Sequence, residues 1–148
     1  MYPKEFVSKG SFAEVPGTVF VLMPFAAEFD AVYENIKQTI EGNPLSMSCY
    51  RADELYGSVL IMEDILRGIF TSQLVIADLT SRNPNVFYEL GVAHTAKDQG
   101  KCVLLTQSMA DVPFDLRHLR CIVYDNSMSG AKKLPRDLIK AIQAALSI

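Results

Sequence analysis

The sequence is short of most features that assign a protein to a class at sight. It has only three cysteines, Cys49, Cys102 and Cys121, among 148 residues. An odd count with no Cys-x-x-Cys pair argues against a disulfide frame and fits reduced thiols. Each lies among β-branched or other apolar residues and reads as a small core residue. The two histidines, His94 and His118, have no second His or Cys at ligand spacing, so no metal site is expected. No apolar run reaches the ~20 residues of a membrane-spanning helix. The longest, around Val19 to Ala27, is broken by Pro24. The opening Met1-Tyr2-Pro3-Lys4-Glu5 lacks a basic-then-apolar leader, and a cytoplasmic protein is expected. Positive charge is slightly short, with 14 Lys+Arg against 17 Asp+Glu, a net charge of −3 and no basic run. Duplex nucleic acid is therefore a poor partner. There is no Gly-x-Ser-x-Gly elbow, no phosphate-loop pattern between Gly10 and Gly17, no internal repeat and no low-complexity segment.

What is present is a core. Hydrophobic residues make up 49% of the chain, which excludes disorder. The length suits one domain, burying roughly 70% of its unfolded surface without staples. Residues 1–17 read as an irregular lead-in and 18–148 as the domain. Thr18 to Met23 is a short apolar run stopped by Pro24, a buried strand. Phe29, Val32, Tyr33, Ile36 and Ile40 then recur at helical spacing, predicting a helix over about 28–41 that ends at Gly42-Asn43-Pro44. Leu45 to Arg51 reads as a second strand. Met62, Ile65, Leu66 and Ile69 mark a helix, Gln73 to Asp78 the clearest buried strand, and about 85–98 another helix. Lys101 to Thr106 and Cys121 to Tyr124 are strands, and Leu134, Leu138, Ile142 and Ala145 form the last helical face. Segment 107–119 reads as a loop with one short helical turn, its Phe114, Leu116 and Leu119 packing on the sheet edge. Such alternation predicts an α/β single domain of three layers. The expected sheet is flavodoxin-like, doubly wound and parallel, with five strands in the order 2-1-3-4-5.

In such a sheet, ligands bind beyond the carboxyl ends of the strands, where the strand order reverses. The loops there hold Met23-Pro24-Phe25, the stretch after Arg51 with Asp53, and Asp78 to Asn85. Asp78 ends a buried strand, which directs its carboxylate at the crevice, or it only caps its own loop. Asn83 or Asn85 suits a helix cap and Pro84 a first helical position. Glu89 follows within two turns, where the helix dipole favours an ionised carboxylate, or where it only steadies the helix. Tyr88 adds aromatic surface. Arg51, with Gly57-Ser58 ahead of a helix, suits a phosphate, or is a surface arginine beside a capping serine.

The run from Gln73 to Ala93, with Met23-Pro24-Phe25 and the 59–71 helix, resembles the nucleoside 2-deoxyribosyltransferase-like family. That family includes deoxynucleotide N-glycosidases and is akin in fold to Toll/interleukin-1 receptor domains. The similarity spans roughly residues 18–125, and its core is an acidic-Leu-Thr step followed by Tyr-Glu-Leu-Gly. It implies that Glu89 is a nucleophile attacking the anomeric carbon of a deoxyribosyl group, and that the covalent sugar ester then passes to water or to another base. Asp78 is the matching candidate for proton donor, and Phe25 or Tyr88 for the wall that stacks on the base. The family's acid in the preceding helix matches Asp64 or Glu63. Asn83 and Asn85 stand where transferases carry a further acid or glycines, and Met23 where a glycine commonly precedes the proline.

The expected activity is N-glycosidic bond cleavage or transfer on a nucleoside, nucleotide or related metabolite. It uses no cofactor, and the small molecule is the partner rather than a membrane. The alternative is a non-catalytic nucleotide-sensing or signalling and assembly domain. A homo-oligomer is expected, through the 107–119 segment and the last helix.

Overall fold

The computed structural model describes all residues except Met1, Ser11, 57–61 and Gln99. Its element order is α1 (Pro3–Ser8), β1 (Val15–Leu22), α2 (Asp30–Glu41), β2 (Ser48–Arg51), α3 (Ala52–Tyr56), α4 (Met62–Thr71), β3 (Ser72–Asp78), α5 (Pro84–Ala96), β4 (Cys102–Thr106), β5 (Cys121–Val123) and α6 (Met128–Leu146). The five strands form one parallel sheet in the order β2-β1-β3-β4-β5, the doubly wound arrangement the alternation predicts.

Apolar residues run unbroken along the strands because both faces are covered. Val19, Val21, Leu74, Ile76, Val103 and Leu105 pack under α2 and α6. Their alternates Phe20, Leu22, Val75, Ala77 and Leu104 pack with α4 and α5. The stripe Phe29, Val32, Tyr33, Ile36 and Ile40 is buried as its spacing requires. Residues 27–29 form a 3-10 turn, which moves the start of α2 to Asp30.

Three expectations change. The lead-in is not irregular throughout: α1 packs Phe6 on Phe12, with ring centroids 4.3 Å apart, and on Phe70 at 5.8 Å. β1 begins at Val15, paired with Ser72. Lys97 ties this segment down, with its side chain 1% exposed and its Nζ 3.1 Å from Glu14 Oε1. The same ammonium donates to the carbonyl of Phe70 in the last turn of α4, satisfying part of a helix terminus, and to that of Ser72, the first residue of β3. Second, β2 starts at Ser48, not Leu45, because 42–47 form the turn around Pro44 while Leu45 and Met47 pack into the core. Third, segment 107–119 contains two 3-10 turns, Met109–Asp111 and Phe114–Leu116. Leu116 and Leu119 pack on the α4/α5 side. Phe114 does not pack, being 85% exposed.

Helix α6 carries Pro135 in its interior. Proline lacks the N–H that would bond the carbonyl of Ala131 four residues earlier. Asn35 Nδ2, from α2, donates to that carbonyl at 3.0 Å. Before that proline, the start of α6 crowds its incoming chain. A Cβ built on Gly130 would stand 1.9 Å from Asp125 O, a backbone atom. Gly130→Ala is therefore expected to destabilise the fold by at least about 2 kcal/mol. A lower denaturant midpoint would show it, and an unchanged midpoint would contradict this packing.

Cys49 is buried, and Cys102 and Cys121 are half-buried. Burial pushes the Cys49 thiol up to about 12 and the other two to about 11. Native protein should therefore resist iodoacetamide near neutral pH, while urea exposes all three to labelling. Rapid native alkylation, read by mass, would contradict it.

Candidate active site

The turn from β3 into α5 is fixed by a buried carboxylate. Asp78 is 0% exposed. Its Oδ1 accepts from Thr80 N at 3.0 Å and Thr80 Oγ1 at 2.6 Å. Its Oδ2 accepts from the Tyr124 hydroxyl just beyond β5. Burial raises the Asp78 pKa, and the three bonds only partly oppose that. The carboxylate does not open onto a crevice as its strand-end position suggested: it is sealed, because Thr80 and Tyr124 close over both oxygens. This is the loop-capping alternative, extended across the sheet.

Beyond Asp78 the backbone is strained. Ser81 and Arg82 have φ of 67° and 54°, a conformation disfavoured for residues with a Cβ. Asp111 holds the loop, accepting from Ser81 N at 2.9 Å and lying 3.6 Å from Arg82 Nε. Strain of this kind collects at functional turns. Asn83 then caps α5, accepting from the N–H groups of Asn85 at 2.9 Å and Val86 at 3.3 Å, with Pro84 in the first turn. Asn83 is thus accounted for by the helix start. Asn85 is exposed, supplying only that backbone donor.

Glu89 sits in the second turn of α5, beside Leu90 and between Val86 and Ala93, all three buried. It is half-buried, and no hydrogen bond or ion pair reaches its carboxylate among the described residues. Burial pushes its pKa up to about 7. The expectation of a pKa lowered by the helix dipole is overturned. The dipole acts over the first turn, Glu89 lies past it, and no cation or donor offsets its desolvation.

Arg51 ends β2, opposite Val21 of β1. It is no surface arginine, its side chain being 9% exposed. Its Nε is 2.8 Å from Asp53 Oδ1, and its Nη2 is 3.0 Å from Asp53 Oδ2 and 3.5 Å from Asp30 Oδ1. The guanidinium lies 4.4 Å from the centre of the Tyr33 ring and 5.6 Å from that of Phe25. Its Nη1 is buried without a hydrogen-bond partner. Glu54 completes the cluster. It accepts from Arg51 N at 3.1 Å, from Lys37 Nζ at 2.8 Å and from the Tyr33 hydroxyl. Burial would raise the Glu54 pKa, but those bonds outweigh it and hold it below the ordinary value.

The remaining expected residues divide. Phe25 is 50% exposed at the end of β1, whereas Met23, at 3%, packs into the α2/α6 core and Pro24 is buried. Asp64 is half-buried in the first turn of α4. Tyr88 is 54% exposed and lines an apolar groove of about 630 Å³ with Val7, Phe70, Gly91 and Val92. It therefore faces α1 rather than the Arg51 cluster. Gly57 and Ser58 lie outside the described residues. A cavity of about 730 Å³ lies at the opposite, amino-terminal end of β4 and β5, lined by His94, His118, Leu119, Ile122 and Ala145. Among the described residues no group of acids, histidines and cysteines is placed to hold a metal, and no helix is long and apolar enough to cross a membrane.

Thr80 and Tyr124, which seal Asp78, and Tyr33, Glu54 and Asp30, which surround Arg51, were not singled out from the sequence. Tyr33 and Tyr124 read there as apolar positions, and only their hydroxyls distinguish them from core residues. Comparison with known proteins finds no matching family model and no matching curated protein.

Proposed function

We propose that this chain cleaves or transfers the N-glycosidic bond of a nucleoside or related metabolite, with Glu89 as nucleophile. The observation that supports this most is the unpartnered carboxylate of Glu89. A half-buried acid with neither cation nor donor destabilises the fold, and such groups persist where chemistry requires them. Its raised pKa makes it a better nucleophile than an ordinary glutamate while leaving a large ionised fraction at neutral pH. One Oε attacks the anomeric carbon, the bond to the base nitrogen breaks with its electron pair going to the base, and the base takes up a proton from solvent as it leaves. The sugar ester is then resolved by water or a second base. The acids Asp30 and Asp53 around Arg51 suit the cationic character of the sugar in the transition state. Asp78 supports the site by fixing the turn that aims α5, and the proton for the base is not assigned to it.

The thiols and the sheet fold suit a reducing, cytoplasmic setting. The exposed Phe114 and Met128, at 85% and 88%, suit a homo-oligomer.

The direct test is to incubate the protein with deoxynucleosides, their monophosphates and NAD, and to separate free base chromatographically. Wild type should release base from at least one, and Glu89→Ala should not. Equal and negligible release by both proteins would end the catalytic reading.

A further inference from the structure

Glu89 does not line the cavity of about 730 Å³ at the amino-terminal ends of β4 and β5, yet that cavity has the make-up of a ligand site. Small-molecule sites span roughly 300–1,000 Å³ and are mostly apolar with a few polar groups. This one opens where the two packing layers meet. Val103 and Ile122 belong to the α2/α6 side, and Leu119 to the α4/α5 side. The wall from α6 is Ala141, Ala144 and Ala145, spaced i, i+3 and i+4 along one helix face. Their small side chains leave the space open.

The rim is basic. His94 and His118, the only two histidines in the chain, both line the cavity, and so does Arg120. All three are exposed, and among the described residues no hydrogen bond or ion pair reaches their side chains. Lys97 also lines it, but its ammonium is taken by Glu14 and by the carbonyls of Phe70 and Ser72. Partial burial, and then the charge of His118, hold His94 below the ordinary histidine value, which places the two imidazoles within reach of each other. Asp98 is the one acid among the described lining residues, and it pairs with none of them. A histidine in the last turn of a helix also steadies the helix dipole, but His118 and Arg120 lie in a turn and gain nothing that way.

Unpartnered donors at the rim call for a negatively charged acceptor, and the apolar wall calls for a hydrocarbon body. An imidazole donates an N–H in either protonation state and adds charge when protonated, and a guanidinium is always charged. A second copy of the chain suits the site less well. A two-fold interface there would bring the same basic groups together from both copies.

We propose that this cavity binds a small organic acid, its carboxylate held at the rim by His94, His118 and Arg120 and its apolar body lying against Val103, Ile122 and the alanines of α6. The site is separate from Glu89 and does not depend on the glycosidic reading.

The test titrates the full chain near neutral pH with hexanoate, hexanol and acetate, following the imidazole proton signals by NMR. Hexanoate should shift the signals of both histidines saturably. It should bind about tenfold more tightly than either hexanol, which lacks the charge, or acetate, which lacks the body. Replacing both histidines, His94→Gln with His118→Gln, should remove most of that advantage over hexanol, read by isothermal titration. Ala145→Leu, which fills the space and leaves the rim intact, should weaken hexanoate about tenfold or more. If that variant does not fold, the histidine variant and the ligand ranking decide. Unmoved histidine signals, equal affinity for hexanoate and hexanol, or hexanoate binding that survives Ala145→Leu would overturn the proposal. So would histidine signals that respond to protein concentration and not to ligand, which would make the cavity a face between copies of the chain.

Discussion

Glu89→Gln should be more stable than wild type above neutral pH, with the difference vanishing in acid. Burial raises the Glu89 pKa from 4.5 to about 7, so the folded state favours the protonated side chain. That preference contributes its full stability below 4.5, is lost as pH rises through 7, and leaves the ionised carboxylate as a penalty above 7. Glutamine is a neutral near-isostere with similar helix propensity, so it avoids the penalty. Each pKa unit is worth 1.36 kcal/mol, and partial exposure of the side chain reduces the whole to about 1–3 kcal/mol. For a chain this long, that is a rise of several degrees in Tm near pH 8. Thermal melts of both proteins from pH 4.5 to 8 would measure it. A variant no more stable at any pH would mean that Glu89 is satisfied where it stands, and the main support for its chemical role would go.

The second large effect belongs to Asp78. Asp78→Ala removes the acceptor for Thr80 N, Thr80 Oγ1 and the Tyr124 hydroxyl, all within the fold. Breaking one partner out of a buried network leaves the others unpaired, at about 3–5 kcal/mol. Tyr124→Phe removes the bond its hydroxyl accepts from Gln107 Nε2 and the one it donates to Asp78, and should lose about 1–3 kcal/mol. The two changes should couple in a double-mutant cycle, since they share the bond between Tyr124 and Asp78. Asp78→Asn separates architecture from chemistry. It preserves the size and one acceptor oxygen, so a residue that only fixes the turn should keep most of its activity. A stable Asp78→Asn protein without activity would restore Asp78 as the proton donor. Chemical denaturation and base-release assays on the same preparations read both outcomes.

The sheet was legible because its information is local and periodic. Runs such as Gln73 to Asp78 and the stripe from Phe29 to Ile40 name their own element and burial, and alternation then leaves few topologies. The N-terminal helix was not legible. Phe6 and Val7 are too short an apolar pair to show a helical stripe, and Phe6 finds its partners Phe12 and Phe70 only in the fold. At the site, sequence put Asp78 at the end of β3, Arg51 at the end of β2 and Glu89 early in the following helix, but not their states. The Asp78 carboxylate is sealed by a tyrosine 46 residues away. Glu89 is raised rather than lowered because burial in the second turn outweighs a dipole effect confined to the first. Arg51 is buried because Asp30 and Tyr33 of α2 meet Asp53 of α3 around it. These are long-range facts with no signature in residue spacing.

The most direct measurement is the pH dependence of kcat/KM for base release, with wild type and Glu89→Gln side by side. An ionised nucleophile predicts a rate that climbs with pH and levels above an apparent pKa near 7, with the glutamine variant down by about 1,000-fold or more at every pH. A wild-type rate that falls above 7, or a Glu89→Gln variant that retains the activity, would contradict Glu89 as the nucleophile.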